Sequence, residues 1–259
     1  MTQFELDSII EELKHLLKES SVDEGHGIDH ALTVMHHCVK AVEEMKANDR
    51  AEFENNFMPN VTIQPTECDA VILAGLLHDA DDAKFFKTNK TNGNPNGECD
   101  YKNARHLLRD FPPHFVRLVV EMISLVSCSK NRNNIPDYIE KSFQDYYSSL
   151  RWMLIPRWAD RLESTGQIGL DRAIIYTKVI ERPFHTSDTK RATTLEELYK
   201  IATPQRFNTY KGVSDSVIDH LYDKVLHLKV KTGIRYLDDI FEERHKVVED
   251  FILDYWRSH

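Results

Sequence analysis

Three features of this 259-residue chain predict an all-α fold. Apolar residues recur at helical spacing in segment after segment. No segment shows the period-2 alternation of a half-buried strand. There is also no internal repeat and no low-complexity tract that would suggest another architecture.

Taken in order, residues 4–18 read as an amphipathic helix with Ile9, Ile10, Leu13, Leu16 and Leu17 on one side. Ser20 and Ser21 end it. A second helix opens at 26–29 with Asp29 as its N-cap, and Val34, Cys38, Val42 and Met45 continue its apolar face. Residues 48–65 are polar and carry Pro59 and Pro65, which reads as a long connection or a short helical insertion. A third helix spans 66–78, with Thr66 and Asp69 resembling a capping box. The Gly/Asn/Pro cluster at 91–97 is a flexible loop and a candidate lid. Residues 98–109 are helical, and Pro112-Pro113 starts another helix that buries Phe115, Leu118, Val119, Met122, Ile123 and Val126. Residues 136–165 form a long helical region, kinked at Pro156, where an interior proline costs about 3 kcal/mol. Further helices are expected at 171–179, from Thr193, at 214–231 and at 236–256, with a loop over 183–190.

Composition bounds the function. Hydrophobic content of 41% and charged content of 29% suit a globular protein. No run approaches the ~20 apolar residues of a membrane span, and the N-terminus shows no secretory pattern. A cytoplasmic protein without membrane contact is the expectation. The formal net charge of -9 opposes binding to nucleic acid polymers but leaves room for a small anionic substrate near a metal. Cys38, Cys68, Cys99 and Cys128 form no C-x-x-C pair and read as free thiols.

One stretch stands apart. Leu73-Ala74-Gly75-Leu76-Leu77 is a greasy helical run, and it ends in His78-Asp79-Ala80-Asp81-Asp82-Ala83-Lys84. Ionised side chains are seldom buried without partners. Imidazole and carboxylate together suit a divalent transition metal, and adjacent helical residues share one ion most easily at a helix end. The same residues also suit a helix that leaves the core and solvates its charges. Two other stretches offer further ligands: Gly25-His26-Gly27-Ile28-Asp29-His30 upstream and Trp158-Ala159-Asp160-Arg161-Leu162 downstream.

With the three stretches together, the chain resembles the HD-domain superfamily of metal-dependent phosphohydrolases, in a branch of small bacterial-type HD hydrolases. The family pattern of a His, a His-Asp pair and a distant Asp maps onto His30, His78 with Asp79, and Asp160. Gly166-Gln167-Ile168-Gly169-Leu170 continues like that branch, and the segments around Ile218-Asp219-His220 and Arg244-His245 look like its C-terminal helices. The resemblance implies one HD-type domain over 1–259, with an HD core at about 22–182 and a C-terminal helical part at about 190–259. It implies one divalent metal, with Mn²⁺ favoured over Fe²⁺, Co²⁺, Ni²⁺ or Mg²⁺. It implies Asp82 as proton acceptor and Lys84 as phosphate-neutralising cation, with His26, Lys84 and Arg161 as substrate contacts. The expected substrate is a small phosphorylated molecule, a nucleotide, and a homo-oligomer is compatible with all of this. Within that class, nucleoside triphosphate pyrophosphohydrolysis comes first and nucleotide dephosphorylation second. The alternative is a metal-stabilised nucleotide-binding or signalling module without catalysis. Trp158 and Val126 stand where many members of the branch have an Asp and a His, so a second metal site is not expected.

Overall fold

The computed structural model describes residues 1–20, 27–48, 63–82, 86, 100–143 and 149–259. These residues contain helices and no strand, as the periodicity predicts. In chain order the helices are α1 (Gln3–Glu19), α2 (Ile28–Asn48), α3 (Pro65–Leu77), α4 (Lys102–Leu107), α5 (Pro113–Val126), α6 (Cys128–Asn131), α7 (Asp137–Ser142), α8 (Ile155–Leu162), α9 (Gly166–Val179), α10 (Leu195–Ile201), α11 (Pro204–Thr209), α12 (Val217–Asp223) and α13 (Arg235–Ser258). Short 3₁₀ helices cover Arg151–Leu154 and Val225–His227. Among the described residues, no helix is long and apolar enough to cross a membrane.

The chain divides into two compact units. The first is Met1–Val126 with Pro136–Ala159, and the second is Ser127–Ile135 with Asp160–His259. The division falls inside α8, which runs unbroken from Ile155 to Leu162.

In the first unit α3 is the central helix. Cys68, Ala70, Val71 and every residue from Leu73 to Leu77 are buried, so it is apolar all round. It packs against α2 on one side and α5 on the other. Its start differs from the expected box at Thr66 and Asp69. Pro65 takes the first helical position, and the Gln64 N–H donates to Glu67 Oε2 at 2.7 Å. The cap lies two residues earlier because proline is preorganised for the first turn, where it has no hydrogen bond to lose. The α2 start also shifts. Ile28 is already helical, which places Asp29 inside the first turn, where its charge complements the helix dipole. Pro156 introduces no kink in a longer helix. It is the second residue of α8, directly after the Arg151–Leu154 3₁₀ turn. The missing N–H costs nothing in a first turn, so the proline begins a helix there.

The second unit has a core of its own. Leu170, Leu198, Ile218, Leu221, Tyr222, Val248, Ile252 and Trp256 pack together, with α9, α10 and α12 around α13 or one another. The expected helix at 214–231 is shorter. It stops at Asp223 and resumes as a 3₁₀ turn at Val225. Thr194 and Thr203 cap α10 and α11, each accepting the N–H three residues on. Under this core lies a polar knot. Asp219 accepts from Thr189, Ser216 and Arg206, and the same Arg206 reaches Asp223 at 2.6 Å.

His220 in this unit is held neutral. Burial, followed by the charges of Lys224 and Arg182, pushes its pKa down to about 3. The unfolded chain, with a histidine near 6.5, therefore binds the proton more readily. Stability from this group is full above about pH 6.5 and is lost as pH falls towards 3, at about 1.4 kcal/mol per pH unit. His227 and His245 are shifted in the same direction. We predict that His220→Gln flattens the fall in urea-unfolding free energy between pH 6.5 and 4. Equal slopes for variant and wild type would contradict this.

Candidate metal centre

The sequence places a histidine at each of two helix ends, and the packing of α2 on α3 brings them together. His30 is the third residue of α2, and His78 is the C-cap of α3, still in right-handed helical conformation. Both are about 8% exposed. His78 Nε2 stands 3.2 Å from His30 Nε2 and 3.2 Å from Asp79 Oδ2, and His30 Nε2 lies 3.8 Å from the same oxygen.

The tautomer follows from the other ring nitrogen. His78 Nδ1 lies 2.8 Å from the carbonyl of Gly75, so Nδ1–H donates and neutral Nε2 keeps its lone pair. That lone pair faces a second imidazole nitrogen and a carboxylate oxygen. A proton on His30 Nε2 would serve the contact between the two rings, whereas a positive centre between the three atoms would serve all of them. Ligands about 2.1 Å from one ion, at angles near 90–110°, are roughly 3.0–3.4 Å apart, which matches two of the three edges. The donor set fits a divalent cation of borderline softness, with no thiolate among the ligands.

The chain leaves α3 through two tight turns. The Ala80 N–H reaches the Leu77 carbonyl at 3.0 Å, and the Asp82 N–H reaches the Asp79 carbonyl at 3.1 Å. Asp82 is half-buried, one such turn beyond Asp79. Asp81 is turned to another task. Its carboxylate accepts the N–H groups of Asn103 at 3.0 Å and Ala104 at 2.9 Å, and so caps α4 from a distance. Asn103 Nδ2 returns a bond to the Ala80 carbonyl at 2.7 Å. Burial pushes the Asp81 carboxyl above its usual range, while the two backbone donors pull it back. Nothing in the sequence separated Asp81 from its neighbours in this role. The expected substrate contacts His26 and Lys84, and the 91–97 loop, lie outside the described residues.

No family model matches the chain. It is 31% identical over 251 residues to the uncharacterized protein L803 of Acanthamoeba polyphaga mimivirus, covering 89% of this chain and 88% of that one. In structure it is similar to a protein of Lactobacillus plantarum, with TM-score 0.61, 18% identity and full coverage of both chains. It is also similar to an HD-superfamily hydrolase of Bacillus thuringiensis, with TM-score 0.56, 18% identity, and 99% and 97% coverage. The Lin1889 protein of Listeria innocua gives TM-score 0.54 at 16% identity, covering 98% and 95%. The chain has the HD-superfamily fold and belongs to one family with L803.

The HD fold was the fold expected from the three motifs. Asp160 follows Ala159 in the unbroken α8 helix. It is the first residue of the second unit's Asp160–His259 segment. Arg161, the next residue, is 2% exposed. Its guanidinium donates to Asn133 Oδ1 at 2.5 Å and to the Arg132 carbonyl. It therefore ties the Ser127–Ile135 segment of its own unit, a role that the motif alone does not reveal. His36 is exposed and His37 buried, with rings 6.4 Å apart, so one is solvated and the other packs.

Asp81 gives the sharpest stability test at this end of α3. Asp81→Ala leaves two backbone donors without their acceptor, a loss of about 1–3 kcal/mol in urea unfolding. An unchanged midpoint would show that water serves α4 equally well.

Proposed function

We propose that this HD-fold protein is a metal-dependent hydrolase of phosphate ester or anhydride bonds in a small phosphorylated substrate, a nucleotide. The observation that carries the reading is the apposition of His30 Nε2, His78 Nε2 and Asp79 Oδ2 at 3.2–3.8 Å, with the His78 lone pair turned inwards. The neighbour described as an HD-superfamily hydrolase supports the hydrolytic class, at the level of fold analogy. In this reading His30, His78, Asp79 and Asp160 hold one divalent cation, Mn²⁺ by preference.

A cation bound there would supply polarisation of a phosphoryl oxygen and acidification of a water. The protein does the rest. Gly75 fixes the tautomer that lets His78 act as a ligand. Asp82, on the turn that follows, takes the proton released as water attacks phosphorus. Lys84 neutralises phosphate charge, and His26, four residues before His30 in sequence, is a phosphate contact. Arg161 is committed to Arg132 and Asn133, so we assign it to shaping its unit and no longer to substrate contact. Among nucleotides we favour a nucleoside triphosphate cleaved to pyrophosphate, with monophosphate dephosphorylation second.

Two variants separate binding from chemistry. Asp79→Ala should lose the metal as measured by elemental analysis, while His36→Ala keeps it. Asp82→Asn should keep the metal and lower kcat by ~10²–10⁴. Wild-type turnover in Asp82→Asn would move the proton acceptor elsewhere. Full metal content in Asp79→Ala would sink the ligand assignment.

A further inference from the structure

Gly75 is an odd choice for its position. It lies within α3, where glycine gives up backbone entropy and contributes no side chain to a helix that is otherwise apolar all round. It has ordinary helical neighbours on both sides, so no turn or positive φ explains it. The packing does. A Cβ at Gly75 would fall 2.5 Å from Cys38 Sγ on α2, 3.4 Å from Cys38 Cβ and 3.5 Å from Met35 Cα. Real Cβ atoms do not approach sulfur that closely, so either Cys38 or the α2 backbone must shift. Cys38 is fully buried and Val34, Ala41 and Val42 around it are 0–2% exposed, so Sγ has little room to swing.

We propose that Gly75 is a positioning residue that sets the α2–α3 separation at the value the metal ligands need. His30 lies two turns before Cys38 on α2, and His78 lies one turn after Gly75 on α3. The glycine that admits Cys38 is therefore also the residue whose carbonyl orients His78. One residue thus controls both the gap between His30 and His78 and the ring orientation of His78. A side chain here would push α2 outward by roughly 1 Å, which is the difference between 2.5 Å and ordinary contact. The two Nε2 atoms, 3.2 Å apart, would open to about 4.2 Å, past the roughly 3.0–3.4 Å that neighbouring ligands of one ion keep. The inference rests on the metal reading above.

The test is a double-mutant cycle of Gly75→Ala and Cys38→Ala, reading Mn²⁺ affinity by titration calorimetry and the melting temperature of the metal-free protein. Gly75→Ala should weaken Mn²⁺ binding about 10–100-fold, the usual cost of disturbing the groups that orient metal ligands. Cys38→Ala alone should stay within about threefold of wild type. The pair should recover to within about threefold of Cys38→Ala, because removing Sγ makes room for the new Cβ. A merely structural role would move the melting temperature and leave Mn²⁺ affinity per folded molecule unchanged. Unchanged affinity in Gly75→Ala overturns the proposal. So does a double variant that binds as weakly as Gly75→Ala or fails to fold. A Gly75→Ala protein that fails to fold, beside a double variant that folds and binds Mn²⁺, supports it. Wild type that binds no more Mn²⁺ than His78→Ala would instead overturn the metal reading, and this inference with it.

Discussion

The lone pair on His78 Nε2 is the constraint on which the site depends. Its ring is held by a 2.8 Å bond to the Gly75 carbonyl, so the other nitrogen must face His30 and Asp79. An imidazole lone pair 3.2 Å from a carboxylate oxygen is unfavourable unless a cation or a proton lies between them. A proton shared between the two histidines would answer one of these contacts. A divalent cation answers all three, and it also explains why a carboxylate was placed at the end of an otherwise greasy helix.

That placement follows from what α3 is. A helix buried on every side is fixed by packing, so its last residue is positioned as firmly as its middle ones. The polar chemistry begins where the core stops. Asp81 then caps α4, which ties the turn after the ligands to another helix of the same unit. His78 and Asp79 are thus held from before by apolar packing and from behind by backbone hydrogen bonds. Such support on both sides is what a preorganised site requires. The second unit keeps its own order through a separate core and the Arg206–Asp219–Asp223 knot.

Much of this was legible in the residues. The charged burst after Leu77 violates the rule that buried chains avoid charge, and that violation pointed to His78 and Asp79. Apolar spacing gave α1, α2, α3, α5 and α13 to within a few residues. The misses have local causes. Pro156 reads the same whether it kinks a helix or starts one, and only the preceding 3₁₀ turn decides between them. Thr66 with Asp69 and Gln64 with Glu67 carry the same spacing of polar residue and acid, and Pro65 decides for the latter. The partners of Arg161 at Arg132 and Asn133 are about 30 residues away in sequence and belong to tertiary structure, which the motif does not reveal. Gly75 left a faint trace, a glycine where alanine would make a better helix. Its meaning needed the position of Cys38.

The most direct test is anomalous diffraction from crystals grown with Mn²⁺, recorded near the manganese edge. The account predicts one strong peak about 2.0–2.3 Å from His30 Nε2, His78 Nε2, an Asp79 oxygen and an Asp160 oxygen. A map with no peak there, or with the ion bound only to surface carboxylates, would contradict it.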